Sequence, residues 1–217
     1  MPSSARRNAR DRMLPEIGRI IEAHHKLRKG KRGRDEHKSI LRSSVMMLCA
    51  TWELYCENLA MEATIKLARG ISNVHALPKA VQLQIVQYVH HEQAVKSGAL
   101  RLSGDGWRAI YARVVKHSIS SFNSPKSGNL DKLFIQAIGL RKISESWSHS
   151  AHEIDGFVRM RGEIAHRGSE AKAIGREEAA HFKAMISKTI SETDNAVYDH
   201  LKNTALLGKA PWQKTAK

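Results

Sequence analysis

Apolar residues recur along this chain at threes and fours almost from end to end, which is the spacing of one face of an α-helix. In "MLPEIGRIIEAHHKL", Leu14, Ile17, Ile20, Ile21, His24 and Leu27 share a face, and Pro15 falls in the first turn, where a missing N–H costs little. From Asp35, a candidate N-cap, to Gly70, a candidate stop, a long helix carries Ile40, Leu41, Val45, Leu48, Cys49, Trp52, Cys56, Leu59 and Ala63 on one side. The pattern makes it the spine of the fold.

Further helices are predicted from about Pro78 to Ser97, within "GWRAIYARVVKH", over "LDKLFIQAIGL" with Asn129 as its cap, from Ser150 to Arg167, and from Arg176 to Asn203. "SSFNSPKSGN" reads as a polar turn. Strand-type alternation is absent beyond stray pairs, so the expectation is an all-α bundle of antiparallel neighbours with an extra N-terminal helix. Three regions are predicted: a basic arm and helix over residues 1–34, a helical domain over 35–203, and a basic, loosely ordered tail over 204–217.

Charge sharpens this division. The 217 residues hold 36 Lys and Arg against 21 Asp and Glu, a formal charge of +15, with a pI of about 10.1. Residues 1–42 account for +8 and residues 203–217 for +3, which leaves +4 on the long body between. An anionic partner is expected, RNA in particular, tracked by Arg6, Arg7, Arg10, Arg12, Lys29, Lys31, Arg32 and Arg34. The alternative for these side chains is a solvated tail with no specific partner. No apolar run approaches the ~18 residues of a membrane helix, and no secretory signal opens the chain, so a cytoplasmic protein is expected. Cys49 and Cys56, seven apart on the long helix, read as small buried thiols.

One helix departs from its own pattern. Counting from Ile154 at 100° per residue, Phe157, Val158, Ile164 and Ala165 fall within roughly 120° of one another, and Arg161 lies in the middle of that stripe. A guanidinium there costs several kcal/mol unless a polar or anionic group receives it. Glu53 or Glu57 on the long helix could be that group, or the side chain could reach the edge of the bundle. Five places on stands His166, at the helix end. Ser150 and Glu153 have the spacing of a capping box. His149 and His152 have a spacing compatible with metal ligation but lack companions at zinc-site intervals, so no metal or other cofactor is expected. Trp107 and Phe122 could stack on bases or pin the bundle. No glycine-rich phosphate loop or serine nucleophile elbow is present.

"SSVMMLCATWELYCENLAMEA", "SGDGW", "FNSPKSGNLDKLFIQAIGL", the isolated Trp147 and "FVRMRGEIAHRG" occur in the order found in the HEPN superfamily, and over roughly Ser39 to Asn203 the chain resembles its RiboL-PSP-HEPN branch. The resemblance implies a HEPN-type helical bundle that forms homodimers. It also implies a metal-independent endoribonuclease, in a toxin or anti-phage defence setting with an antitoxin or defence-system partner protein. Carried over, the paired arginine and histidine are Arg161 and His166, with Glu163 between them as a supporting candidate beside Glu53 and Glu57. Active relatives often carry a polar residue, frequently Asn, directly after the arginine. This chain has Gly162, which keeps open a second expectation: a catalytically silent module that binds RNA or a partner protein.

Two residue types suit that chemistry. RNA carries its own nucleophile, the 2′-hydroxyl; histidine exchanges protons near neutrality, and arginine offers a permanent planar fork of donors to phosphoryl oxygens. Positions five apart on a helix diverge by about 140° and rise by roughly 7.5 Å, so one copy of the pair spreads around a helix rather than converging. A second copy across a two-fold axis would bring two such pairs into one cleft.

Overall fold

A computed structural model describes residues 1–28, 38–92, 102–203 and 210–214. The candidate N-cap Asp35, the expected helix end at Ser97, and the basic residues Lys29, Lys31, Arg32 and Arg34 lie outside them. Among the described residues there is no strand, and the helices are α1 (Ser4–Asn8), α2 (Leu14–Arg28), α3 (Lys38–Gly70), α4 (Lys79–Glu92), α5 (Gly106–Ser120), α6 (Ser127–Ile138), α7 (Ala151–Arg167) and α8 (Arg176–Asn203). The chain is an all-α bundle, as its periodicity predicts.

α3 is the axis, packed against α1, α2, α5, α6, α7 and α8. It therefore buries more than the single stripe read from the sequence: Thr51, Tyr55, Ala60 and Thr64 join Leu48, Trp52, Cys56 and Leu59. The hydroxyls this brings inside are satisfied by the helix itself. Thr51 Oγ1 donates to the Met47 carbonyl at 2.8 Å and Thr64 Oγ1 to that of Ala60 at 2.8 Å.

The N-terminal region corrects the expectation of a basic arm. α1 and α2 are joined by a single π-helical turn, Ala9–Met13, closed by the Leu14 N–H to the Ala9 carbonyl. That wider turn puts Ala9 and Leu14, five apart, on the same buried side, followed by Ile17 and Ile21. Glu62 of α3 receives the otherwise unpaired start of α1, accepting from the Ser4 N–H at 3.1 Å, the Ser4 hydroxyl at 2.7 Å and the Ala5 N–H at 3.1 Å. Removing this region would strip the core of five apolar side chains, Ala5, Ala9, Leu14, Ile17 and Ile21.

The tail is also tied down where it is described. Gln213 donates its N–H to the Met1 carbonyl at 2.8 Å, Lys214 pairs with Asp199 at 2.8 Å, and Trp212 is buried. A loosely ordered tail is thus corrected for residues 210–214: an indole placed against the bundle and a charged pair hold the segment.

The resemblance-bearing blocks turn out to be joints. Trp52 donates to the Pro125 carbonyl at 3.1 Å, and the Asp155 carboxylate on α7 accepts from the Ser127 N–H at 2.7 Å and its hydroxyl at 3.0 Å. α6 therefore begins at Ser127, capped from another helix, while Asn129, the expected cap, donates to the Ser124 carbonyl at 3.0 Å. Gly139 ends α6 with φ of 75°, and a Cβ there would come within 2.4 Å of Pro78, so glycine is required twice over. Trp107 is buried rather than poised for a base, and Arg108 behind it donates to the Ala68 and Ile71 carbonyls at 2.8 and 2.9 Å, closing the end of α3. Phe122 packs partly buried against the core.

Candidate functional site

α7 begins as its sequence dictates. Ser150 Oγ accepts from the Glu153 N–H at 3.2 Å and the Glu153 carboxylate accepts from the Ser150 N–H at 2.8 Å, a complete capping box. Those bonds hold the Glu153 carboxyl below the usual carboxylate range, with His149 3.8 Å away adding to the effect. Asp155 pins the helix to α6. Ile154, Phe157 and Val158 are buried, with Phe157 against Phe182 of α8 at 5.3 Å between ring centres.

The second half of the helix behaves differently. Ile164 is the last buried residue; Glu163, Ala165, His166 and Arg167 are all exposed. The spacing places Ala165 on the apolar stripe, but the helix leaves the core after Ile164, and among the described residues no element covers that side of its last turn. Arg161 lies at this transition. Its side chain is 34% exposed and its Nη2 stands 3.4 Å from Oε2 of Glu53, itself 19% exposed. The arginine's place on an apolar stripe is thereby explained locally: the stripe runs out at the bundle's edge, and α3 presents a carboxylate there.

Cys49, Glu53 and Glu57 stand one turn apart on α3, and the first two feel the guanidinium. Burial pushes the Cys49 thiol up to about 11, opposed by Arg161 and reinforced by Glu53. The Glu57 carboxyl is raised by burial and then by the charge of Glu53 one turn away. The site thus has a cation fixed by one carboxylate, a second carboxylate inclined to hold its proton, and an exposed imidazole at the helix end. Arg161 and Glu53 meet; His166 and Glu163 face solvent away from them. The Cys49 contact was hidden in the sequence, where a cysteine in an apolar run reads only as core.

Gly162 follows the arginine with nothing within 4 Å of where a Cβ would stand. Any side chain would fit. Of the basic residues assigned to RNA tracking, Arg7, Arg10 and Arg12 are exposed, Arg10 pairing with Asp11 at 2.6 Å. Arg6 is corrected: its side chain is 8% exposed, donates to Ser191 Oγ at 2.7 Å and lies 3.9 Å from Asp194, so it holds α1 to α8. Among the described residues no three His, Cys, Asp or Glu side chains gather into a metal-ligating group, and no helix is long and apolar enough to cross a membrane.

Comparison with curated proteins and with solved structures gives no match. The RiboL-PSP-HEPN family profile, in contrast, matches residues 14–199, from the first buried residue of α2 to the end of α8 that carries Asp199. With most of its length inside that match, and with the joints that carry the resemblance built as one bundle, the chain belongs to the RiboL-PSP-HEPN family.

Proposed function

We propose that this protein is a metal-independent endoribonuclease that cleaves RNA by attack of the 2′-hydroxyl on the neighbouring phosphorus, leaving a 2′,3′-cyclic phosphate. The supporting observation is the state of Arg161: a guanidinium held by Glu53 at 3.4 Å, yet one-third exposed, on the helix whose last turn carries the exposed His166. In this reading His166 exchanges the proton of the 2′-hydroxyl or of the leaving 5′-oxygen, and Arg161 receives the phosphoryl oxygens as their charge grows. Glu53 orients the fork without burying it.

The pair diverges around α7, so the complete site needs a second copy of the chain, and the open side of the last turn of α7 gives room for one. The working form is then a homodimer. The family supports a toxin or anti-phage role, with a partner protein that restrains the nuclease.

A second reading, a silent module that binds RNA or protein, is favoured by Gly162, where relatives often carry Asn. The deciding experiment is incubation of purified protein with mixed RNA in EDTA. Cleavage with cyclic phosphate ends that disappears in His166→Ala supports the nuclease; RNA retained but uncut by the wild type supports the silent module, and recovery of cutting in Gly162→Asn would assign the difference to that one position.

A further inference from the structure

Arg161 lies on the core side of α7, and the opposite side of the same helix carries a second set of nitrogen donors. At 100° per residue, His152, Arg159 and His166 recur every seven positions and fall within about 40° of one another. All three are exposed, whereas Ile154, Phe157, Val158 and Ile164 hold the other side against the bundle. Successive members of the row are separated by about 10.5 Å of helix rise. His166 therefore shares its face with Arg159 and not with Arg161.

Arg159 is open to a ligand. Among the described residues its side chain makes no ion pair or hydrogen bond, although Glu163 stands one turn away. Its Nη2 lies back over Gly156, 3.6 Å from where a Cβ on that glycine would stand. Gly162 sits between Arg159 and His166 along the helix, with nothing within 4 Å of where its own Cβ would be. A glycine inside a helix costs about 1 kcal/mol against alanine, and no packing neighbour accounts for the small residue at Gly162. The result is a stretch of bare backbone between a free guanidinium and an exposed imidazole.

We propose that this face of α7 is the track for the RNA strand: with the scissile phosphate at His166, the strand passes over Gly162 and Arg159 binds another phosphate of the same strand, His152 marking the continuation. A linear polyanion fits a row of donors repeated at a regular rise, and the planar fork of Arg159 suits phosphodiester oxygens. A compact anion would meet one member of the row only. The substrate rests on the endoribonuclease reading, to which the track adds a substrate-binding residue, Arg159, that does not touch the reacting atoms.

Fluorescence anisotropy with a labelled single-stranded 2′-O-methyl oligonucleotide tests it, because that strand lacks the attacking hydroxyl and reports binding whether or not the protein cuts. Arg159→Gln should weaken binding about five-fold, the loss of one exposed charge-assisted hydrogen bond, and make the slope of log affinity against log salt shallower by about 0.7. Gly162→Glu, which sets a carboxylate on the track without crowding the fold, should weaken binding at least about ten-fold. Arg113→Gln, at an equally exposed arginine on α5, should change affinity by less than about two-fold. On cleavable RNA, Arg159→Gln should raise KM and leave kcat within about two-fold, the reverse of His166→Ala. No binding by the wild type at roughly 100 μM protein, wild-type affinity in Arg159→Gln or Gly162→Glu, an equal loss in Arg113→Gln, or a fall in kcat with KM unchanged in Arg159→Gln overturns the track. A protein that binds the 2′-O-methyl strand through Arg159 but cuts no RNA upholds the track and removes the nuclease reading. Cutting that Arg159→Gln leaves unaltered in both KM and affinity removes the track alone.

Discussion

Two arginines, each unexpected where it stands, show how the same side chain can serve a fold or remain available to a ligand. Arg6, on a short helix of α1, is 8% exposed, with Asp194 fully buried beside it and a serine on its guanidinium. Arg161 has one carboxylate partner at 3.4 Å and is 34% exposed. From sequence the ranking was the reverse: Arg6 sat in a basic stretch that reads as solvated, and Arg161 on a stripe that reads as core. What separates them is the neighbouring element. α8 covers most of Arg6, whereas α7 runs past the edge of α3 just after Arg161.

The largest expected effect comes from the buried member. Arg6→Ala leaves Asp194 without its cation, and breaking a buried pair in this way costs about 3 kcal/mol, a fall in melting temperature of roughly 6–12 °C for a chain of this size. A fall below about 2 °C would mean that α1 is not held by this contact.

Next comes the exposed member. Arg161→Ala and His166→Ala should each lower the RNA cleavage rate by at least ~100-fold, equivalent to about 2.7 kcal/mol of transition-state stabilisation. Neither should shift the melting temperature by more than about 2 °C, because surface substitutions cost little. If Arg161→Ala unfolds the protein, the two arginines are alike after all. Glu53→Gln sharpens the contrast further: with orientation loosened but charge retained on Arg161, cleavage should fall by about ten-fold in kcat with little change in KM.

Smaller effects separate the exposed basic residues from the buried one. Changing Arg7, Arg10 and Arg12 to Gln should leave stability intact and make the slope of log affinity against log salt shallower by up to about 0.7 per lost contact on single-stranded RNA, less for Arg10, which pairs with Asp11. An unchanged slope assigns these side chains to solubility. The smallest shift belongs to Glu57. Its folded carboxyl is raised by burial and Glu53, so ionisation opposes folding above the raised value and not below the unfolded one; Glu57→Gln should raise the melting temperature by about 1 °C at pH 7 and not at pH 4. A gain at pH 4 as large as at pH 7 would show that the charge is not the cause.

α8 from Arg176 to Asn203 and the Ser150 capping box were legible because a helix is specified by contacts within a few residues: periodicity, caps and stops. The Glu53 partnership was legible as one of two options, since Glu53 and Glu57 lie one turn apart on a long helix that had to pack somewhere near α7. The docking of residues 4–28 was not. A π-turn between Ala9 and Leu14 changes the phase of the stripe, so the buried face before it does not continue the one after it. Ala5 and Ala9 are too small to announce a core face.

By itself the sequence determined the all-α class, the spine helix, the family, and the presence of Arg161 and His166 on one helix end, because each follows from local spacing or from motifs read in order. Only the tertiary structure decided that Arg6 is a joint and Arg161 an open cation, and that Asp155 caps a different helix. Burial is a property of what lies opposite a side chain, and the residues opposite these, 28 to nearly 200 positions away along the chain, come near only where helices fold back on one another, as Asp155 does to Ser127 across 28 residues, Glu53 to Arg161 across 108 and Asp194 to Ser3 across 191.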